Sequence, residues 1–329
     1  MPFSLDGRLV VGIASSAMFD LRESDTVFQS SGEEEYRQFQ EAHLNDPLPK
    51  GVSFSFIKRL LSLNDLSSDP TGDPLVEVIL LSRNDPDTGL RVMKSIEHYE
   101  LPITRAIFMQ GKSPYKYIPA LNISLFLSSN PPDIREALAL GFPAGLVLES
   151  TIVDDDDDLD LRIAFDFDGV IVDDASERVM QEGTLSDFHA HERRNVTTTH
   201  DPGPLQIFLS EIKKLQLLEE SRKRLDASYR NRIHVAVVTA RNAPSHERAV
   251  TTLKNWGLMV NDAFFLGGIE KAKVLGVLRP HIFFDDQATH LGPAASVVPS
   301  VHIPFGITNA SGATSTNMNS LGKSPEEAA

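Results

Sequence analysis

Residues 161–181 read LRIAFDFDGVIVDDASERVMQ. Residues 162–165 form a short, mainly apolar run of strand length. It breaks off at Asp166–Phe167–Asp168–Gly169, where two carboxylates stand two residues apart. Residues at i and i+2 share one face of a strand, and a turn at the glycine brings both acids to its rim. Alone, an Asp-x-Asp pair is weak evidence, because surface turns produce it often. Its place at the end of an apolar run is more telling, since an unpaired carboxylate is costly to bury there.

Three later strand ends keep it company. Thr239 closes the run 234–238, and its hydroxyl suits a phosphoryl oxygen. Lys271 follows the apolar residues 264–266, and Asp285–Asp286 end the run 282–284. Each has a plain reading by itself: a threonine in a strand, a solvated lysine, a turn with two acids. In chain order they make a carboxylate pair, a hydroxyl, an amine and a second carboxylate pair.

Working outward, two stretches of the chain read alike. Residues 9–29 (LVVGIASSAMFDLRESDTVFQ) lie over 161–181, each stretch opening apolar, turning through small residues and ending in Gln. VILLSRN at 78–84 lies beside VAVVTARN at 235–242, which puts Ser82 opposite Thr239. At that spacing Ile96 and Tyr99 fall on Leu253 and Trp256, Phe108 and Gly111 on Phe265 and Gly268, and 125–127 on 282–284. Landmarks kept in one order predict an internal duplication. Each half alternates strands with helical segments, the pattern of α/β parallel sheets covered by helices on both faces. Ligands in such sheets bind at the carboxyl ends of the strands.

The chain has 329 residues, room for about two domains. Its predicted parts are a first half at 1–150, an acidic linker at 151–160, a second half at 161–306 and a disordered tail at 307–329. Residues 154–158 are five consecutive aspartates, a run that repels itself and stays solvated. The tail is polar and nearly free of bulky apolar residues. Lys and Arg number 31 against 46 Asp and Glu, a net charge of −15, which argues against a nucleic-acid partner. Cysteine is absent, which removes disulfides, thiolate catalysis and cysteine-based zinc sites. The start lacks a signal-peptide core and no run approaches a membrane span, so a cytoplasmic place is expected.

The four strand-end motifs resemble those of the haloacid dehalogenase-like superfamily of phosphohydrolases. More narrowly, the chain resembles the cytosolic type I 5′-nucleotidase family. That likeness rests on SSAMFDL, LSRNDPDTGLRV, SIEHYEL, GKSPYKY, TARNAPSHERAV, FFLGGIEK and FFDDQ, and it covers most of residues 8–306. It implies two Rossmann-like halves with small helical cap insertions. The segments 30–72 and 182–230 are the places for caps, with amphipathic stretches at 54–63 and 205–218.

The resemblance also implies roles. Asp166 would be the nucleophile and Asp168 the general acid and base, with Lys271 and Thr239 completing the catalytic set. Mg2+ would be held by Asp166, Asp285 and the backbone carbonyl of Asp168, with Asp286 a ligand through water or a support. In the first half these positions fall on Ala14, Ser16, Pro114, Ser128 and Ser129, so a single catalytic centre is expected, in the second half. Arg241 and Asn242 are candidates for substrate contact, and Tyr115 for nucleotide contact or for docking the halves. Ser82, Arg83 and Asn84 leave room for a regulatory nucleotide in the emptied half. The expected activity is Mg2+-dependent hydrolysis of nucleoside 5′-monophosphates, AMP foremost. A phosphatase or phosphotransferase for another small phosphate ester, or a nucleotide-sensing protein without turnover, would carry similar motifs. Nothing in the sequence gives an oligomeric state.

Overall fold

Five short apolar runs in each half become strands, and the central ones are buried along their whole length because helices cover both faces. The computed structural model describes residues 3–67, 73–152, 155 and 158–310. The first five strands are β1 (Leu9–Ile13), β2 (Val76–Ser82), β3 (Arg105–Phe108), β4 (Leu125–Ser128) and β5 (Ala144–Val147). The next five are β6 (Leu161–Phe165), β7 (Ile233–Thr239), β8 (Asp262–Phe265), β9 (Ile282–Asp285) and β10 (Ser300–His302).

All ten belong to one sheet, ordered β3-β2-β1-β4-β5-β10-β9-β6-β7-β8. Separate parallel sheets were the expectation; instead the halves join edge to edge. Every neighbouring pair is parallel except β5 and β10, where Val147 faces Val301 and Leu146 faces His302. Read outward from that seam, the order in each half is the same, with β6 to β10 standing where β1 to β5 stand. One antiparallel seam has a large geometric effect: the carboxyl ends of β1–β5 lie at the opposite edge of the sheet from those of β6–β10.

One face of the sheet carries a core common to both halves. Leu9, Val11 and Ile13 of β1 share it with Leu161, Ile163 and Phe165 of β6. The other face has two separate cores, one around Val10 and Phe126 and the other around Ala164 and Phe283. The common core is where the two amphipathic stretches expected in caps are found. Helix Phe54–Ser62 buries Phe54, Phe56, Ile57 and Leu60, with the Phe56 ring 6.5 Å from that of Phe284 in the other half. Helix Gln206–Leu225 buries Phe208, Leu209, Ile212 and Leu215, with Phe208 6.3 Å from Phe165. An apolar stripe that wide needs a sheet to cover, so these helices line the core and the cap assignment is corrected for both. A pair of short helices spans the start of each insertion, Arg22–Ser31 with Glu33–Ala42 and Ala175–Glu182 with Leu185–Arg194.

Most of the aspartate run lies outside the described residues. Two of the described acids of that segment are paired: Asp158 with Arg162 at 2.7 Å and Asp160 with Arg230 at 2.6 Å. The ordered chain also continues past 306, because Ile307–Ala310 form a helical turn. The remainder of the expected tail, 311–329, lies outside the described residues. Among the described residues, no helix is long and apolar enough to cross a membrane.

Candidate active site

The site is built where β6, β7 and β9 end. The backbone N–H of Asp166 still donates to Phe284 O at 2.7 Å, so the sheet ladder holds this residue in place. Its Oδ2 accepts from Lys271 Nζ at 2.8 Å, and the same ammonium donates to Asp285 Oδ2 at 2.6 Å. Lys271 opens the helix Lys271–Leu278 and is only 2% exposed. One amine thus ties the end of β6 to the end of β9.

Charge and burial act against each other here. Burial alone would lower the lysine, but Asp166 and Asp285 outweigh it and hold the ammonium above its ordinary range. Burial pushes the Asp166 carboxyl up to about 6, with Lys271 pulling it down and Asp285 pushing it up. Asp285 goes the other way: burial would raise it, yet Lys271 and then His290 hold it low. Among the described residues Asp286 pairs with no cation, and burial with the charges of Asp166 and Asp285 raises it well above the usual carboxylate range.

The two acids of the second pair therefore differ in their surroundings. Asp285, expected to be a direct metal ligand, already has donors on both oxygens, Lys271 on Oδ2 and the Gln287 N–H on Oδ1 at 2.8 Å. Asp286 accepts from Thr308 Oγ1 at 3.1 Å through Oδ2, while its buried Oδ1 has no hydrogen-bond partner among the described residues. An orphaned buried carboxylate oxygen in a cluster of acids is free to accept from a water or to ligate a cation. Gly169 makes room for it. Its φ is +70°, and a Cβ there would stand 2.6 Å from Asp286 Oδ2. Asp166, Asp285 and His290 also bring ligand atoms within 4.8 Å of one another. Lys271 already bonds both of those carboxylates.

As a candidate for substrate contact, Arg241 is expected to face the mouth of the site. It is instead 4% exposed and grips Asp168 with two prongs, Nε to Oδ2 at 2.7 Å and Nη2 to Oδ1 at 2.6 Å. Its third nitrogen, Nη1, donates to Glu192 Oε2, and Arg248 Nη1 donates to Glu192 Oε1 at 2.9 Å. Glu192 comes from helix Leu185–Arg194, so this insertion helix reaches Asp168 through one guanidinium. Burial would raise Glu192, but His200 and Arg241 hold it well below the usual range. Glu192, His200 and Arg248 escaped sequence reading because nothing marks a buried acid within so polar a helix.

Thr239 is 2% exposed at the end of β7, and its hydroxyl accepts from the Arg241 N–H at 3.3 Å. Asn242 is half-buried beside the Gly267–Gly268 turn that leads to Lys271. The structure thus brings Asp166, Asp168, Thr239, Arg241, Asn242, Lys271, Asp285 and Asp286 to one edge.

It does not bring Ser82, Arg83, Asn84 or Tyr115 there. They follow β2 and β3, whose carboxyl ends lie at the other edge of the sheet. Ser82 Oγ lies 3.0 Å from Ser15 Oγ and accepts from the Asn84 N–H at 3.1 Å. The Arg83 guanidinium is engaged by Asp133, and Tyr115 packs on the first-half core with Glu136 on its hydroxyl. Within one chain, Tyr115 therefore lies at the opposite edge of the sheet from Asp166.

Comparison with known proteins agrees with this arrangement. A 5′-nucleotidase family profile matches residues 1–310. Cytosolic 5′-nucleotidase 1B from Homo sapiens is 31% identical over 287 residues, which is 86% of this chain and 46% of that protein. The chain therefore spans about half the length of the curated relative it matches. No solved structure matches. A profile covering nearly the whole described chain, together with that relative, shows that the chain belongs to the 5′-nucleotidase family, a family of hydrolases.

Proposed function

We propose that the chain hydrolyses nucleoside 5′-monophosphates, AMP among them, to nucleoside and phosphate in a Mg2+-dependent reaction. The observation that carries this reading is Lys271 bridging Asp166 and Asp285, with Asp168 and Thr239 on the adjoining strand ends. Phosphate monoesters hydrolyse very slowly unaided, so a site must position the ester and neutralise charge. Asp166 would attack phosphorus and form an aspartyl-phosphate, which water then cleaves. Asp168, once one oxygen is released from the Arg241 fork and takes up a proton from solvent as the ester binds, would pass that proton to the departing ribose oxygen and later take one from the attacking water. The Arg241 fork aims the Asp168 carboxylate, which must release one prong to meet the leaving group. Thr239 would donate to a phosphoryl oxygen, and Lys271 keeps Asp166 from facing its acidic neighbours unshielded.

Four carboxylates, Asp166, Asp168, Asp285 and Asp286, face two cations here, Lys271 and Arg241, which leaves an excess of acid. A hard divalent cation suits such an oxygen-rich set. Asp166, Asp285 and the Asp168 main-chain carbonyl would hold Mg2+, with Asp286 a further oxygen donor and Asp285 also anchoring the lysine. Bound there, the cation would screen the phosphoryl charge.

The strand order supports an internal duplication of haloacid dehalogenase type, with a first half (1–150) that lost its catalytic groups and a linker at 151–160. A local detail favours it too. Ser82 and Thr239 each accept from the N–H two residues on, and so do Ser128 and Asp285. These are two pairs of equivalent strand ends with the same turn. A cytoplasmic place is part of the proposal and draws on the relative's printed name.

The test is phosphate release from a panel of monophosphates with and without Mg2+, using Asp166→Asn as control. Release that requires both Mg2+ and Asp166 supports the reading. Nucleotide binding without turnover of any ester would leave a sensor instead, and preference for a non-nucleotide ester would change the substrate class.

A further inference from the structure

The residues expected to open a disordered tail form a strap across the carboxylate that lacks a cation partner. Gly306 turns the chain with φ +78°, and a Cβ there would stand 2.7 Å from Asp174 Cβ. Next, the Ile307 N–H donates to Asp174 Oδ2 at 2.7 Å. At the other end of the strap, Asn309 Nδ2 donates to Asp286 O at 2.9 Å and to Phe305 O at 2.8 Å. The strap is therefore tied to the loop that follows Asp168 and to Asp286 itself.

Thr308 sits between those ties. Its hydroxyl accepts from Asn309 Nδ2 at 3.1 Å and donates to Asp286 Oδ2 at 3.1 Å. The carboxylate is fixed further by its own carbonyl, which accepts from His302 Nε2 as well as from Asn309. A carboxylate with one oxygen held by a hydroxyl and the other buried without a partner is set up to bind a cation through a single oxygen. Without the hydroxyl the group could rotate about its Cβ–Cγ bond, and the free oxygen would no longer keep its direction.

We propose that Thr308 is a positioning residue for a divalent-cation site, its hydroxyl fixing Asp286 Oδ2 so that Oδ1 faces the cation. This rests on the reading of Asp286 as a metal ligand, and the experiment separates failure of the two ideas. Mn2+ alone is titrated into the full chain, with free Mn2+ followed by electron paramagnetic resonance. The wild type, Thr308→Val, Thr308→Ser and Asp286→Asn are compared, each with its thermal midpoint. Outer contacts to a metal ligand are commonly worth about ten- to a hundredfold in affinity, so Thr308→Val should bind at least about tenfold more weakly. Thr308→Ser restores the donor and should stay within about threefold of wild type.

Wild-type affinity in Thr308→Val would overturn the proposal while leaving Asp286 as a ligand. An equal loss in Thr308→Ser and Thr308→Val would overturn it as well, since the methyl and not the hydroxyl would then matter. Unchanged binding in Asp286→Asn, or no binding by the wild type, would remove the ligand reading and the proposal together. A Thr308→Val chain that fails to fold makes Asn309→Ala the deciding variant: weaker binding with an unchanged midpoint supports the strap, and unchanged binding overturns it.

Discussion

Arg241 meets Asp168 as a two-pronged fork, at 2.7 and 2.6 Å, and both side chains lie inside the protein. Planar pairing of this kind fixes orientation as well as charge, and a lysine cannot reproduce it. The same guanidinium serves Glu192 in an insertion helix, so one side chain joins the proposed acid to the layer above the sheet.

Replacing Arg241 should therefore harm both folding and turnover. Arg241→Met leaves Glu192 and Asp168 without their shared partner, and breaking such a buried pair costs about 3–5 kcal/mol. Urea unfolding should show that loss. Arg241→Lys should recover part of the stability, while kcat stays well below wild type because the fork is gone.

Stability should depend on acid through Glu192. Its folded-state ionisation is depressed, so the stabilisation is fully present above its unfolded value of 4.5 and is lost as pH falls through the lower folded value. At pH 7 the term is complete. Glu192→Gln should be less stable than wild type at pH 7, and the gap should narrow toward pH 3 in paired urea titrations. A gap of constant size across that range would show that the acid contributes through packing alone.

Lys271→Ala should depress the chemical step by about a hundredfold or more, the scale at which removing one electrostatic catalytic group acts. Single-turnover phosphate release reads that step directly. KM should change far less, because the amine contacts Asp166 and Asp285.

Ser82→Ala and Tyr115→Phe should leave kcat and KM for a monophosphate within about twofold of wild type, as expected for sites without shared partners. Both residues lie at the other edge of the sheet. A large change in either constant would mean that the edges communicate.

Much of this architecture is legible in the sequence because it depends on local rules. Apolar runs such as 161–165 and 282–285 become strands, and the acids that end them must sit at a rim. What joins the halves is not local. β5 and β10 have only four and three residues, and their antiparallel pairing is chosen by tertiary contact. The stripes at Phe54–Ser62 and Gln206–Leu225 show that something apolar is covered, but not whether it is a cap or a sheet. Thr308 sits in a polar stretch whose composition resembles disorder, and its value lies in one hydroxyl direction that no pattern encodes.

The seam between β5 and β10 also gives the molecule two poles. The mouth at Asp166 and the strand end at Ser82 look away from each other across the full length of the strands. Within one chain, a small molecule bound at one pole is out of reach of the side chains at the other. Any message between them has to travel along the backbone of the shared sheet or through the common core beneath it.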